Sequence, residues 1–167
     1  MVTDRVIGEM KRVFEGYPRQ IEHTFNVLRY ADEIMDGEGV SVEQREFIST
    51  AVILHDIGVV EAKRKHGSSA APYQEKEGAV IAAQILEQIG HSQGDVTRVR
   101  FIVGNHHTAS KIDGLDFQIL WEADLLENLK TRDVLNDKDE LKKVIDNNFK
   151  TTTGRSMAYM QYLNECV

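Results

Sequence analysis

A small set of histidine and aspartate residues falls where the sequence pattern otherwise places apolar side chains. His55 follows Ala51 by four residues and Asp124 follows Leu120 by four, so both lie on inward faces of predicted helices. Burying an imidazole or a carboxylate without a partner is unfavourable by several kcal/mol. Each of these residues therefore requires a hydrogen-bond partner, an opposite charge or a metal ion.

Three further histidines extend this set. His23 lies at the edge of the apolar side of the segment after Pro18, and the doublet His106-His107 follows a run of valines at helical spacing. Taken singly, a histidine such as His23 is more simply a core histidine with a partner, Asp124 a cap for a neighbouring helix, and His106-His107 the polar start of a loop. Their convergence from separate helices favours a metal centre, because metal sites in helical bundles are built from facing side chains.

The types of ligand restrict which metal such a centre would hold. Imidazole and carboxylate together suit Mn, Fe, Co, Ni or Zn better than Ca or Mg, which prefer shells of oxygen atoms. The only cysteine of the chain, Cys166, excludes a cysteine-based zinc site and a disulfide framework within one chain.

Helices must position these residues, because apolar side chains recur at helical spacing almost throughout. Val6, Met10 and Phe14 show this pattern, and Ser41 with Gln44 three residues later is a helix-start signature. No stretch alternates with the period of a strand, and the chain has only two prolines. The sequence predicts an all-α, compact single-domain bundle of about seven or eight helices.

Length and charge narrow the classes of function. A chain of 167 residues fits one domain over residues 1–167, and its net charge of −7 disfavours a protein that coats nucleic acid. No apolar run has the length of a signal peptide or a membrane span. We expect a soluble cytoplasmic protein that has no membrane partner, and a homo-oligomer is compatible with the sequence.

The order and spacing of the polar residues resemble the HD superfamily of metal-dependent phosphohydrolases, with an HDIG-type motif. The resemblance extends from about residue 23 to residue 129. It implies a metal-binding core at about residues 20–130, on which C-terminal helices in residues 131–167 pack. The matching stretches are Ile21-Glu22-His23-Thr24-Phe25-Asn26-Val27, Leu54-His55-Asp56-Ile57-Gly58 and Glu122-Ala123-Asp124-Leu125-Leu126.

The resemblance also implies ligands and roles. His23, His55, Asp56 and Asp124 match the ligands of one divalent metal, and Asp56 would orient a metal-activated water that attacks a phosphate ester. His106 and His107 match a pair that either faces the substrate phosphate or completes a second metal site.

Two departures from the family pattern favour one tight metal with at most a weak second. Multi-metal members usually carry another histidine just before the step that Gly78-Ala79 matches, and Gln74 stands there. The Gly-Tyr-Pro signature of the cyclic-di-nucleotide branch is also missing after the paired histidines. The second departure argues against membership of that branch.

The implied substrate is a nucleotide or another small phosphorylated metabolite, which needs local positive charge. Residues 61–73 lack periodicity and predict a loop, in which Lys63, Arg64 and Lys65 either bind the anion as part of a lid or form a solvated basic turn. Lys111 is a further candidate for substrate binding. A non-catalytic module that senses nucleotide or metal, and a di-iron HD oxygenase, are the alternative functions.

Overall fold

Helices form the regular structure of residues 2–166, the part of the chain that the computed structural model describes. These residues contain no strand, and the predicted all-α class is confirmed. No described helix is both long enough and apolar enough to cross a membrane. The helices α1 to α9 are, in chain order, Val2–Val13, Pro18–Gly37, Val42–Leu54, Val59–His66, Ala71–Ile89, Gln93–Val103, Leu115–Leu129, Lys138–Asn148 and Thr152–Leu163, and shorter 3-10 turns span Ala109–Lys111 and Asp133–Asn136.

Several helices begin or end at residue types that favour helix termini. Pro18 opens α2, where its missing N–H costs no hydrogen bond. The Ser41 hydroxyl accepts a hydrogen bond from the backbone N–H of Gln44 at 3.3 Å, as the sequence predicts. Gly67 and Gly90 end α4 and α5 in the left-handed conformation, with φ of 68° and 85°.

The predicted loop over residues 61–73 is wrong for most of its length. Helix α4 runs to His66 and α5 begins at Ala71, so only residues 67–70 lie outside a helix, and α4 is an addition to the seven or eight expected. Only Val59 and Ala62 of α4 are buried, which leaves too few apolar positions to show a period. Ion pairs from Glu61 to later residues of α4 stabilise it locally instead.

Helix α3 lies at the centre of the bundle. It packs against α1, α2, α6 and α7, and every residue from Ile48 to Leu54 is buried. Around it, α2 packs on α7, and α5 packs on α4 and α6. The turn that follows α3 therefore starts in the interior, which is where His55 and Asp56 lie.

A close backbone approach holds that turn against α5. A Cβ atom on Gly58 would overlap the Gln74 carbonyl oxygen and lie 2.7 Å from the Cα atom of Gly78. Only glycine leaves room for this contact. It brings the backbone after Asp56 directly onto the turn of α5 that carries Gln74.

A buried carboxylate ties the C-terminal helices to the rest. Glu122 of α7 accepts hydrogen bonds from the backbone N–H groups of Lys150 at 2.6 Å and Thr151 at 2.9 Å, and from the Gln118 amide at 2.6 Å. Burial raises the pKa of Glu122, and these donors oppose that shift. The start of α9 is thereby fixed to α7.

Substituting Gly58 tests the close approach. We expect Gly58→Ala to lower the free energy of unfolding by about 1–3 kcal/mol, because the new methyl group overlaps the backbone of α5. Urea unfolding followed by circular dichroism measures the change. The matched control is Gly8→Ala on α1, where a Cβ atom meets nothing within 4 Å and helix propensity predicts no loss. Equal stabilities for the two variants would contradict the packing role of Gly58.

Candidate metal centre

Three parts of the fold bring the four predicted metal ligands together. His23 lies on α2, His55 and Asp56 on the turn after α3, and Asp124 on α7. The Nε2 atom of His23 is 3.1 Å from Asp124 Oδ1 and 3.4 Å from Asp56 Oδ2. The Nε2 atom of His55 is 3.4 Å from Asp56 Oδ2 and 3.5 Å from Asp124 Oδ1. Two imidazole nitrogens and two carboxylates thus face one point.

The hydrogen bonds of His55 fit a metal ligand. Its Nδ1–H donates to the Val52 carbonyl at 2.7 Å, which leaves the lone pair on Nε2. The side chain is fully buried, and Nε2 has no hydrogen-bond partner among the described residues. A buried nitrogen lone pair that faces two carboxylates is the arrangement that a divalent cation satisfies. The four residues therefore fit the metal that the sequence predicts.

Without a cation, protons carry the positive charge of this cluster. Burial lowers the pKa of His55, but Asp56 and Asp124 outweigh burial and raise it well above its usual range. Burial opposes ionisation of the two carboxyl groups, and the histidines around them nevertheless lower the pKa of both. A cation at this point must therefore compete with a proton on His55.

A second group of donors lies on the other side of Asp56. The Nδ1–H of His106 donates to the Val103 carbonyl at 2.7 Å, and its Nε2 is 3.4 Å from Asp56 Oδ1. Asp56, His106 and His107 could by their spacing hold an ion. The side-chain amide of Gln74 lies among these three residues and makes hydrogen bonds with each of them.

His107 differs from His106 in its exposure. Its backbone N–H donates to the Glu75 carboxylate at 2.8 Å, which fixes the end of α6 against α5. The side chain stays accessible to solvent, and partial burial together with His106 lowers the pKa of His107.

Two clefts meet at these residues and share His107, Asp124 and Asn128. Their volumes are about 220 Å³ and about 330 Å³. The first is completed by His106, Trp121, Leu125, Arg132 and Asn148, and the second by Arg19, Gln20, His23, Asp56, Val59, Ser69 and Gln74.

The structure does not bring the predicted substrate-binding lysines and arginine to these clefts. Lys63, Arg64 and Lys65 lie on the exposed side of α4, and the Lys65 ammonium donates to the buried carboxylate of Glu77 at 2.7 Å. Lys111 is exposed in its 3-10 turn. None of the four lines either cleft.

Two arginines that the sequence reasoning missed line the clefts instead, Arg19 in one and Arg132 in the other. Both are exposed, and neither side chain has an ion pair or hydrogen bond within the described part of the chain. Arg19 precedes His23 by four residues, and this spacing on one helix face could have revealed it. Arg132 follows the end of α7 at Leu129, where no periodicity indicates which way a side chain faces.

The helical fold and the His–Asp centre together define a metal-dependent hydrolase family. Residues 21–147, most of the chain, match the model of the HD domain, and the chain belongs to the HD domain family. The crystal structure of a predicted HD superfamily hydrolase from an uncultured Thermotogales bacterium is similar, with 26% sequence identity and a TM-score of 0.65. The similarity covers 95% of this chain and 84% of that one. No curated protein shows significant sequence similarity to the chain.

Removing His55 tests the metal centre. We expect the purified protein to retain one transition-metal ion per chain and His55→Ala to lose it, because His55 Nε2 has no other partner. Elemental analysis after dialysis measures the content. His91→Ala is the matched control, since its Nε2 is also buried without a partner but the residue lies at the far end of α5. Metal retained in His55→Ala would contradict the assignment.

The pKa of His55 predicts a pH dependence. In the metal-free protein, protonated His55 contributes stability that is complete below its unfolded pKa of about 6.5 and is lost as the pH rises through the raised folded value. Because the metal displaces this proton, metal affinity should weaken as the pH falls. Calorimetric Mn²⁺ titrations in two buffers of different ionisation enthalpy count the protons released. An affinity independent of pH would contradict this account.

Proposed function

We propose that the protein is a metal-dependent phosphohydrolase that acts on a nucleotide or another small phosphorylated metabolite. The observation that carries the proposal is the unpartnered Nε2 of His55, which faces Asp56 and Asp124 where two arginine-containing clefts meet. A metal site alone would support many hydrolases. The arginine in each cleft favours an anionic substrate.

The ligands that would hold the metal are His23, His55, Asp56 and Asp124. Such a cation supplies the charge that activates water and neutralises a phosphoryl oxygen. The Val52 carbonyl holds the His55 ring by its Nδ1–H, so the lone pair of Nε2 stays directed at the site. Asp56 contributes Oδ2 to the same point, 3.4 Å from both histidine nitrogens.

The charge balance of the centre explains the need for arginines. Two ionised aspartates cancel the charge of one divalent cation, so the loaded centre attracts a phosphate only weakly over a distance. Arg19 and Arg132 supply positive charge on either side, and neither is neutralised by an ion pair with a described residue. The planar guanidinium also matches phosphate oxygens with two parallel hydrogen bonds.

His107 is the histidine of the pair that we propose to contact the substrate. It lines both clefts, and its side chain is accessible to solvent. His106 uses its Nδ1 proton on the Val103 carbonyl and is buried. Of the histidine pair, His107 is therefore the one suited to contact the substrate.

A fixed aromatic ring supports a nucleotide as the substrate. The indole N–H of Trp121 donates to the side-chain oxygen of Asn148 at 3.2 Å, and the Asn148 amide donates to the Val144 carbonyl at 2.8 Å. This chain of hydrogen bonds holds the indole at the wall of the smaller cleft. A planar, hydrogen-bonded ring beside an arginine suits a nucleobase next to its phosphate.

An activity screen with arginine variants tests this proposal. We expect Mn²⁺-stimulated release of phosphate from nucleotides or of nitrophenol from 4-nitrophenyl phosphate and its bis ester. Arg19→Ala and Arg132→Ala should each lower kcat/KM about tenfold to a hundredfold, mainly through KM, since each removes a charged hydrogen bond to the substrate. Steady-state kinetics on the best substrate gives both constants.

The control for these variants is Arg29→Ala, which lies on the same helix as Arg19. The Arg29 side chain is exposed, pairs with Glu33 at 2.9 Å and lines neither cleft. It should retain full activity. Absence of turnover across the whole panel in metal-loaded protein would sink the proposed reaction.

A further inference from the structure

The side chain of Gln74 occupies an unusual position beside the proposed metal centre. It is almost fully buried, with 6% of the residue exposed, and lies among Asp56, His106 and His107. These three residues are spaced closely enough to hold an ion of their own. The Gln74 amide therefore occupies the position that a second cation would take among Asp56, His106 and His107.

The hydrogen bonds around Gln74 determine which way its amide faces. In its neutral form His106 donates from Nδ1 to Val103, so its Nε2 can only accept, and Asp56 Oδ1 accepts as well. Both receive the NH₂ group of Gln74, which lies 3.4 Å from His106 Nε2. The Gln74 oxygen accepts from His107 Nε2 at 3.3 Å. Every polar group of the amide has a partner.

A cation cannot share this position with the amide. It would require the same lone pairs of Asp56 Oδ1 and His106 Nε2 that the amide hydrogens occupy, and an NH₂ group offers no lone pair to a metal. Displacing the side chain would leave a buried amide without partners, which is costly. The close backbone contact between Gly58 and α5 restricts such a movement further.

The two carboxylate oxygens of Asp56 consequently face different groups. Oδ2 faces the nitrogens of His23 and His55, each at 3.4 Å. Oδ1 accepts from Gln74 and faces His106. The amide therefore holds Asp56 in the orientation that directs Oδ2 at the first cation position.

We propose that Gln74 limits the centre to one metal, because its amide stands in place of a second cation and orients Asp56 toward the first. The inference rests on the proposed metal centre. In this arrangement Gln74 is a positioning residue. His107 remains free of metal and keeps its side chain available to the clefts.

Substituting Gln74 by a residue that ligates tests the inference without measuring turnover. In Gln74→Glu, a nearly isosteric change, an oxygen replaces the NH₂ group, and Gln74→His adds an imidazole. We expect one Mn²⁺ per chain in the wild type and two in either variant, counted by elemental analysis after dialysis. Electron paramagnetic resonance should show an isolated Mn²⁺ in the wild type and a coupled pair in the variants, since metals in two-metal sites lie about 3.5–4 Å apart.

The control is Gln84→His, which adds a histidine to an exposed position of the same helix and should keep one Mn²⁺ per chain. A wild type that binds two coupled Mn²⁺ ions, or folded Gln74 variants that stay at one, would overturn the inference and leave the proposed function standing. A wild type that binds no Mn²⁺ would overturn the metal centre itself. If the Gln84→His control also bound two Mn²⁺ ions, an added histidine anywhere on the helix would explain the second ion, and the inference would be overturned.

Discussion

The contact between the Gly58 turn and the backbone of α5 is the constraint on which the centre depends. The second half of α3 is buried and delivers His55 and Asp56 into the interior, but this fixes only one wall of the site. The absence of a side chain on Gly58 lets α5 approach until Gln74 contacts Asp56. Helices α2 and α7 pack on each other beside this junction and add His23 and Asp124.

The sequence indicated the four candidate ligands because polar residues on apolar helical faces are conspicuous and their order resembles a known family. Helix ends could be predicted from local rules, as at Ser41, because its side chain caps α3 through a hydrogen bond to a residue only three positions away. Helix α4 was missed because it has too few buried positions to form a periodic pattern. Ion pairs along the helix stabilise it instead. Arg132 was unpredictable, since a residue after a helix end takes its direction from tertiary packing.

The wall of the smaller cleft extends beyond the residues that match the family model. The family match ends at residue 147, yet Asn148 fixes the indole of Trp121. The backbone N–H groups of the next residues bind the buried carboxylate of Glu122, one position further along α7. The end of α8 is thus part of the wall of this cleft. A fragment cut at the family boundary would lose part of that surface.

The hydrogen-bonding of Gln74 has a consequence for the evolution of this centre. Glutamine and histidine codons share their first two bases, so one substitution at the third base exchanges an amide for an imidazole at this position. The neighbours that a second cation would need, Asp56, His106 and His107, already surround it. The chain therefore stands a single nucleotide change from a different ligand set, without rearrangement of any helix.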